Sequence, residues 1–191
     1  MRLILASQSP RRREILESAG FDVVVRPSSV PEERLPEESP EAYVRRLACD
    51  KARAICAEPR DIVLGADTVV VVDNVVLEKP LDDVDAARML RSLSGRTHEV
   101  LTGVCILQDG QEMVDVSRTE VEFLPLSDDE ISDYIRSGEH KDKAGAYGIQ
   151  GLASKFVCRI DGCYFNVVGL PISLVYRWLR RTTDSARGSV K

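Results

Sequence analysis

One aspartate interrupts an otherwise apolar segment of the sequence. In "IVLGADTVVVV", residues 62–72, Asp67 stands among the aliphatic residues of a typical buried strand. Burying an unpaired carboxylate costs several kcal/mol, so this residue needs a partner or a function. Its small neighbours Gly65 and Ala66 would let a ligand approach the backbone, and Thr68 adds a hydroxyl. Two interpretations stay open: an aspartate at a bulge that caps its own turn, or a carboxylate that holds a metal or takes a proton from water.

Three arginines follow the start of a predicted helix. Ser9 is its expected N-cap and Pro10 its first residue, and Arg11, Arg12 and Arg13 fill the opening turn. A helix start carries partial positive charge, so arginines there are unfavourable unless they bind an anion. The alternatives are three solvated arginines or a phosphate site. Neither a P-loop nor a Rossmann glycine pattern is present.

Two lysines lie beside turn-forming residues. Lys79 stands in "LEKP". Lys143 is the second residue of "DKAGAYGIQG", residues 142–151, whose glycines have the spacing G-x-x-G-x-x-G. Such a loop is either flexible or presses its backbone against a flat ligand, with Gln150 offering a donor and an acceptor to a base edge. Together with the arginines and Asp67, these residues indicate phosphate-ester or phosphoanhydride chemistry and leave the substrate open.

Composition and motif searches exclude several other classes. The 191 residues are 43% apolar and 30% charged with a net charge of −5, which is typical of a soluble globular protein and disfavours nucleic-acid binding. No apolar run is long enough for a membrane helix, and the N-terminus resembles a first strand rather than a leader, so we expect a cytoplasmic protein. The cysteines form no CxxC pair, which disfavours zinc. His98 and His140 belong to no hydrolase motif, and we expect His98 to be structural or at the rim of the site rather than a catalytic base.

The segments that must position these residues alternate between helix and strand patterns. Helices are predicted at "SPRRREILESAG", "SPEAYVRRLACDKARAICAE", "DDVDAARMLRSLSG", "SDDEISDYIRSG" and "LPISLVYRWLRR", and hairpins about Asp73-Asn74, Asp109-Gly110 and Asp161-Gly162. This order favours an α/β fold with one elongated mixed sheet flanked by helices, and two lobes around a central cleft. We assign residues 1–181 to a single domain and residues 182–191 to a flexible tail.

Five motifs in order resemble one known family. They are "LASQSPRRREIL", "GADTVVVVDNVVLEKP", "LSGRTHEVLTGV", "DKAGAYGIQG" and "GCYFNVVGLPISLVYRWL", and they cover nearly the whole chain. The sequence is similar to the Maf nucleotide pyrophosphatases, and to their branch that acts on dTTP and UTP. The resemblance implies a fold related to inosine triphosphate pyrophosphatases, and hydrolysis of nucleoside triphosphates to the monophosphate and pyrophosphate with a divalent cation, Mg²⁺ or Mn²⁺.

The resemblance also implies roles for individual residues. Asp67 of the GADT motif is the implied proton acceptor, while Arg11, Thr68 and Gln150 mark the dTTP/UTP branch. We expect Asp67 at a strand end that opens into the cleft, where it serves as base, as metal ligand, or as both.

Further implied residues would bind phosphate and metal. Arg12, Lys51 and Lys79 resemble phosphate contacts, and Glu32 resembles a metal partner of the same aspartate, with Glu33 as the alternative in that variable loop. Other interpretations stay open: the sister branch that acts on 7-methyl-GTP, and a non-catalytic nucleotide-binding regulator of septum formation. The resemblance also makes a homodimer an expectation.

Overall fold

A seven-stranded mixed sheet forms the centre of the molecule in the computed structural model, which describes residues 2–188, with side chains described for residues 2–180. The strands are β1 (Leu3–Leu5), β2 (Val23–Val25), β3 (Ile62–Val72), β4 (Val75–Leu77), β5 (Thr97–Gln108), β6 (Gln111–Phe123) and β7 (Val157–Asp161). Their order is β2-β1-β3-β5-β6-β7, with β4 paired to β3. β1 runs parallel to β2 and β3, and the other pairs are antiparallel. The predicted α/β class with a mixed sheet is confirmed.

Two tight turns set the register of the sheet. Asp73 and Asn74 both have positive φ between β3 and β4, and Asp109 and Gly110 do so between β5 and β6. Two consecutive positive φ angles are the signature of the turn whose twist suits a hairpin. Both predicted hairpins are therefore confirmed.

Six helices cover the two faces of the sheet. They are α1 (Pro10–Ser18), α2 (Pro40–Arg53), α3 (Asp83–Leu93), α4 (Asp128–Arg136), α5 (Tyr164–Val168) and α6 (Ile172–Gly188). The apolar side chains of α2 pack on one face, against Val63, Val69 and Val71 of β3. Those of α1, α3, α4 and α6 join the larger core on the other face. Within residues 2–188, no helix is both long and apolar enough to cross a bilayer.

One edge of β3 is left partly unpaired. β5 follows the strand along residues 62–71, so β1 and β4 must share the opposite edge. On that edge β1 pairs with residues 62–64 and β4 with residues 70–72. Residues 65–69 therefore face an opening between the end of β1 and the end of β4, where Leu77 pairs with Val70, and the site described below lies at this opening.

The third predicted hairpin is wrong. β7 ends at Asp161, and Tyr164–Val168 forms helix α5 instead of a returning strand. The aromatic and β-branched residues of "YFNVV" favour a strand locally, but Asn166 is fully buried and its side-chain amide donates to Val100 O and Thr119 Oγ1. Tertiary hydrogen bonds thus override local propensity. All side chains of the predicted tail, residues 182–191, lie outside the described ones, and the backbone of helix α6 continues to Gly188.

Candidate active site

A cleft of about 860 Å³ opens at the unpaired edge of β3. Its lining comes from the β1–α1 junction, from the middle of β3, from Lys51 of α2 and from the loop at residues 139–151. The site residues that the resemblance implied all line this cleft, apart from the alternative Glu33: Arg11, Arg12, Glu32, Lys51, Asp67, Thr68, Lys79 and Gln150. Residues far apart in the sequence therefore meet in one cavity.

Asp67 lies in the middle of β3, so the expectation of a strand end is wrong. Its register with Gly103 of β5 is regular, with no bulge, which also excludes the bulge interpretation. The strand continues past Asp67 because β4 pairs with its second half. The carboxylate reaches the cleft because β3 lacks a neighbour on the other edge at this point. Its side chain is 10% exposed.

A buried lysine joins two carboxylates on one side of the cleft. Lys51 Nζ lies 2.5 Å from Glu32 Oε1 and 2.7 Å from Asp67 Oδ1, and the Lys51 side chain is only 8% exposed. Lys79 Nζ lies 3.5 Å from Glu32 Oε2. We call Glu32, Lys51, Asp67 and Lys79 the acidic wall. Burial of the Asp67 carboxylate in a strand carries a desolvation cost. The positive charge of Lys51 offsets part of that cost.

Close packing of α2 on the sheet brings Lys51 to Asp67. A Cβ on Gly65 would lie 2.1 Å from Ala48 O, and one on Gly103 would lie 2.2 Å from Val44 O. Only glycine fits under the helix at these positions. The expectation that Gly65 lets a ligand approach is therefore wrong, since helix α2 occupies that space.

The proline-rich loop before α2 is anchored so that Glu32 points into the cleft. The Tyr43 hydroxyl lies 2.9 Å from Glu32 O and 2.7 Å from Glu78 Oε1, and burial followed by the Glu78 contact raises the pKa of Tyr43. Arg46 Nη2 donates to Glu33 O at 2.9 Å. Because Glu33 is absent from the cleft lining, the structure places Glu32 rather than Glu33 at the site.

The charge state of Glu32 follows from its two lysine partners. Burial alone would raise the pKa of Glu32, but the hydrogen bond and charge of Lys51, with a smaller effect from Lys79, hold it below its usual value. The acidic wall therefore contains an ionised Glu32 near neutral pH.

The acidic wall has the donor set of a hard divalent cation. Carboxylate oxygens from Glu32 and Asp67 already converge on one positive charge, the Lys51 ammonium. Mg²⁺ and Mn²⁺ prefer oxygen ligands of this kind. The residues fit such a cation, which Glu32 and Asp67 would hold, while Lys51 would balance part of their charge.

Arg12 is buried and bound by neutral oxygen atoms. Its Nε donates to Gly169 O at 2.9 Å, Nη1 to Ser7 Oγ at 3.0 Å and Nη2 to Thr68 Oγ1 at 3.0 Å. Burial lowers the pKa of Arg12, and Asp67 and Glu32 oppose that effect. Among residues 2–180, no carboxylate lies within salt-bridge distance of this guanidinium. Its positive charge is therefore not paired within the protein and can act on a ligand in the cleft.

Thr68 lies on the opposite face of β3 from Asp67. Its hydroxyl contacts Thr102 Oγ1 at 2.9 Å as well as Arg12, and Thr102 in turn donates to Asn166 O at 3.2 Å. The two neighbours therefore contact different layers of the molecule, α2 for Asp67 and the β1–α1 junction for Thr68. Both line the cleft because it opens at the strand edge.

The other side of the cleft carries positive and amide groups. Arg11 from α1, with Lys143 and Gln150 from the glycine-rich loop, all line it, and we call these three residues the loop wall. Of the three arginines in the first turn, Arg13 is turned away and pairs with Glu17 at 2.7 Å. Each of the two interpretations of the arginines therefore applies to different residues. Arg13 is solvated, whereas Arg11 and Arg12 face the cleft.

Residues 2–182 match the family model described as Maf-like protein. The chain belongs to the Maf family. A relative from Koribacter versatilis (strain Ellin345), named dTTP/UTP pyrophosphatase, is 57% identical over 182 residues, covering 95% of this chain and 94% of that one. Two relatives with the same name, from Geobacillus sp. (strain WCH70) and Shigella dysenteriae serotype 1 (strain Sd197), are each 50% identical and cover 94% and 93% of this chain and 97% and 91% of their own.

The solved structures offer a more distant likeness. A nucleoside-triphosphatase, dITP/XTP pyrophosphatase, from Mycobacterium abscessus is 16% identical with a TM-score of 0.47, and the match covers 97% of each chain. A likeness this distant carries no argument about this Maf chain.

Sequence reasoning missed several features of this Maf site. Tyr43 reads as one more apolar position of α2, although its hydroxyl anchors Glu32. Asn166 reads as a strand residue, although it ties α5 to β5 and β6. A polar residue inside an apolar run was the available signal for Asn166, as it was for Asp67.

The two histidines are structural in different ways. His98 is 2% exposed, its Nε2 lies 2.9 Å from the Tyr147 hydroxyl, and burial lowers the pKa of His98 to about 4. His140 Nε2 lies 3.0 Å from Asp83 Oδ1 at the start of α3. The structural role predicted for His98 is confirmed, and its ring supports Tyr147 behind the loop wall.

A second polar cluster lies between α2 and strands β5 and β6. The sulfur atoms of Cys49 and Cys105 and a carboxylate oxygen of Glu112 lie within 4.8 Å of one another. Arg53 donates to both oxygens of Glu112, at 2.9 and 3.0 Å. The cysteine spacing in sequence gives no sign of this proximity, since the fold alone brings α2 onto β5.

Proposed function

We propose that this protein hydrolyses dTTP and UTP to the nucleoside monophosphate and pyrophosphate. The observation that carries the proposal is the Lys51 bridge between Glu32 and Asp67, in a cleft that also contains Arg11 and Arg12. Converging carboxylates beside an array of cations suit a metal–triphosphate complex. The names of the relatives from three bacteria support the choice of dTTP and UTP.

The proposed substrate lies across the cleft, with its triphosphate at the acidic wall. Arg12, Lys51 and Lys79 would neutralise charge on the phosphate oxygens, which grows at the leaving pyrophosphate as the bond breaks. Arg12 is well suited to this task because its hydrogen bonds to Ser7, Thr68 and Gly169 hold the guanidinium in one orientation. A preoriented donor needs little reorganisation during the reaction.

The reaction we propose is attack of water on the α-phosphorus. A divalent cation, Mg²⁺ or Mn²⁺, would supply charge neutralisation and most of the activation of the water when bound. Asp67 would hold and orient the participants and accept the proton from the attacking water. Carboxylates are weak general bases, so we assign Asp67 mainly a ligand role.

The same proposal includes a biological setting. Removal of excess or modified pyrimidine nucleotides in the cytoplasm would follow from this activity, and a link to arrest of cell division and a homodimeric state belong to the proposal as well. None of these extensions alters the expected chemistry of the cleft.

A nucleotide panel with pyrophosphate detection tests the proposal. We expect release from dTTP and UTP with Mg²⁺ or Mn²⁺, and none with a chelator. Release from 7-methyl-GTP but not from UTP would move the protein to the sister branch. Binding of nucleotides without release from any of them would favour a non-catalytic regulator and refute the enzyme.

A further inference from the structure

Lys143 differs from the other two lysines of the cleft in its partners. Lys51 and Lys79 each contact a carboxylate, whereas Lys143 Nζ donates to two backbone carbonyls, Glu139 O at 2.5 Å and Lys141 O at 3.4 Å. In the part of the chain with described side chains, no carboxylate lies within salt-bridge distance of Lys143. An ammonium has three N–H donors, so one remains for a ligand in the cleft.

The glycine-rich loop is shaped around the stem of Lys143. A Cβ on Gly148 would lie 2.7 Å from Lys143 Cε, so any larger residue would displace the side chain. One acidic group of the loop is turned elsewhere: both carboxylate oxygens of Glu139 accept from Leu152 N, at 2.8 and 3.1 Å. The loop therefore holds Lys143 in place without neutralising it.

A second unneutralised cation lies nearby. Burial lowers the pKa of Lys143, repulsion from Arg11 adds to the effect, and the charges of Glu139 and Asp142 oppose it. For Arg11, too, no carboxylate within salt-bridge distance is found among residues 2–180. Two neighbouring cations that lack a carboxylate within salt-bridge distance repel each other. A ligand that places electronegative atoms between them therefore binds favourably.

We propose that Lys143 is a specificity-determining residue that donates to a carbonyl oxygen of the pyrimidine base. With Arg11 and Gln150, it gives the loop wall two donors and one acceptor. Uracil and thymine present the complementary set, two carbonyl oxygens on either side of one N–H. This inference rests on the proposed function, because it names the base end of the same cleft.

The same arrangement rejects cytosine. Cytosine replaces the O4 acceptor by an amino donor, and a donor facing Lys143 leaves both groups unpaired. A site built to hydrogen-bond one group discriminates strongly against an analogue that lacks it. In the proposed function Arg12, Lys51 and Lys79 already supply the cations for the phosphates, and Lys143, with one free donor, suits a single carbonyl oxygen better than a phosphate with three oxygens.

The test compares Lys143→Met with Lys155→Met and Lys143→Arg. Lys155 lies outside the cleft lining, over the ring of Phe156, and controls for the loss of a lysine in this part of the chain. We measure kcat/KM for UTP and CTP, and inhibition by inorganic tripolyphosphate, which has no base. Loss of one charged hydrogen bond predicts a fall of about 10- to 100-fold for UTP, a change of less than about threefold for CTP, and unaltered inhibition by tripolyphosphate.

Lys143→Arg keeps a donor and should recover part of the UTP preference, whereas Lys155→Met should match the wild type. Equal losses for UTP and CTP, weaker tripolyphosphate inhibition, or no change for UTP would each overturn the inference. If Lys143→Met does not fold, Lys143→Ala, which also lacks a donor, takes its place in the same comparison of UTP with CTP. A wild-type protein that hydrolyses neither UTP nor dTTP would instead refute the proposed function, so the two failures are distinguishable.

Discussion

The two walls of the cleft handle their charges in opposite ways. On the acidic wall the lysines are paired, with Lys51 shared by two carboxylates and Lys79 beside one of them. On the loop wall, Lys143 contacts only neutral backbone oxygens. Both walls line one cavity, yet one is internally neutralised and the other is not.

This difference suggests a division of labour. The charges of the acidic wall already balance. This wall can therefore hold a cation, and it loses little electrostatic energy when a metal–triphosphate complex binds. A wall with unpaired donors gains most from a ligand that brings acceptors. In our proposal the first wall carries the reaction and the second selects the base.

Replacing Asp67 should abolish the function of the acidic wall. Asp67→Asn removes the charge and keeps the shape, and we expect kcat to fall by about 10³-fold, because a carboxylate that acts in the chemical step is worth about that much. Pyrophosphate release measures the loss, and titration with Mn²⁺ assigns its cause.

The two roles of Asp67 give different results in that titration. Weakened Mn²⁺ binding in Asp67→Asn would support the ligand role, and unchanged binding with lost turnover would support the base. Activity near the wild-type level would contradict both.

Moving α2 away from the sheet should damage the acidic wall and leave the loop wall intact. In Gly103→Ala the new Cβ would lie 2.2 Å from Val44 O, so the helix must shift. We expect the free energy of unfolding to fall by about 3 kcal/mol, measured by urea denaturation. A variant as stable as the wild type would show that α2 is not held at this distance.

The two lysines of the acidic wall should differ because their burial differs. Lys51 is 8% exposed and bridges two carboxylates, while Lys79 is 59% exposed. We expect Lys51→Met to lower kcat/KM for UTP by about 100-fold and Lys79→Met by about tenfold. Each variant is the matched control for the other, and a larger effect at Lys79 would reverse our view of the wall.

The packing of His98 against Tyr147 should lose stability at low pH. Burial holds the pKa of His98 at about 4 against 6.5 for an unperturbed histidine, so the unfolded chain binds the extra proton first as the pH falls. The contribution of neutral His98 is fully present above pH 6.5 and is lost as the pH falls toward 4. Between pH 7.5 and 4.5 we expect this group to remove about 2 to 3 kcal/mol of stability.

Urea denaturation at both pH values measures that loss. His98→Gln should be less stable than the wild type at pH 7.5 but should vary less with pH, because its amide does not titrate. An equal pH dependence in both proteins would remove His98 as the cause.

Local signals in the sequence predicted much of the fold. Serine-proline pairs start α1 and α2, and a capping box of Ser127 and Glu130 starts α4 within a predicted helix. The turn residues predicted two of three hairpins. The failure at Tyr164–Val168 arose because buried hydrogen bonds of Asn166 outweigh a strand-like composition, and no local pattern reports such bonds.

The candidate site divides in the same way. Asp67 and the arginines were identifiable because each breaks a local rule, a charge in an apolar strand or cations at a helix start. Their companions were assigned by resemblance, and the structure places them together. Lys143 was noticed in its loop, but its lack of a carboxylate partner is visible only when its surroundings are known.

The sequence by itself determined which residue types were available for chemistry, the order of most helices and strands, and the family. Tertiary structure alone decided that Asp67 lies mid-strand at an unpaired edge and that α2 lies close enough for Lys51 to bridge two carboxylates. It also decided which cations stay unneutralised. The physical reason is that propensity and periodicity act over a few neighbouring residues, whereas strand pairing, helix approach and charge pairing depend on residues far apart in the chain.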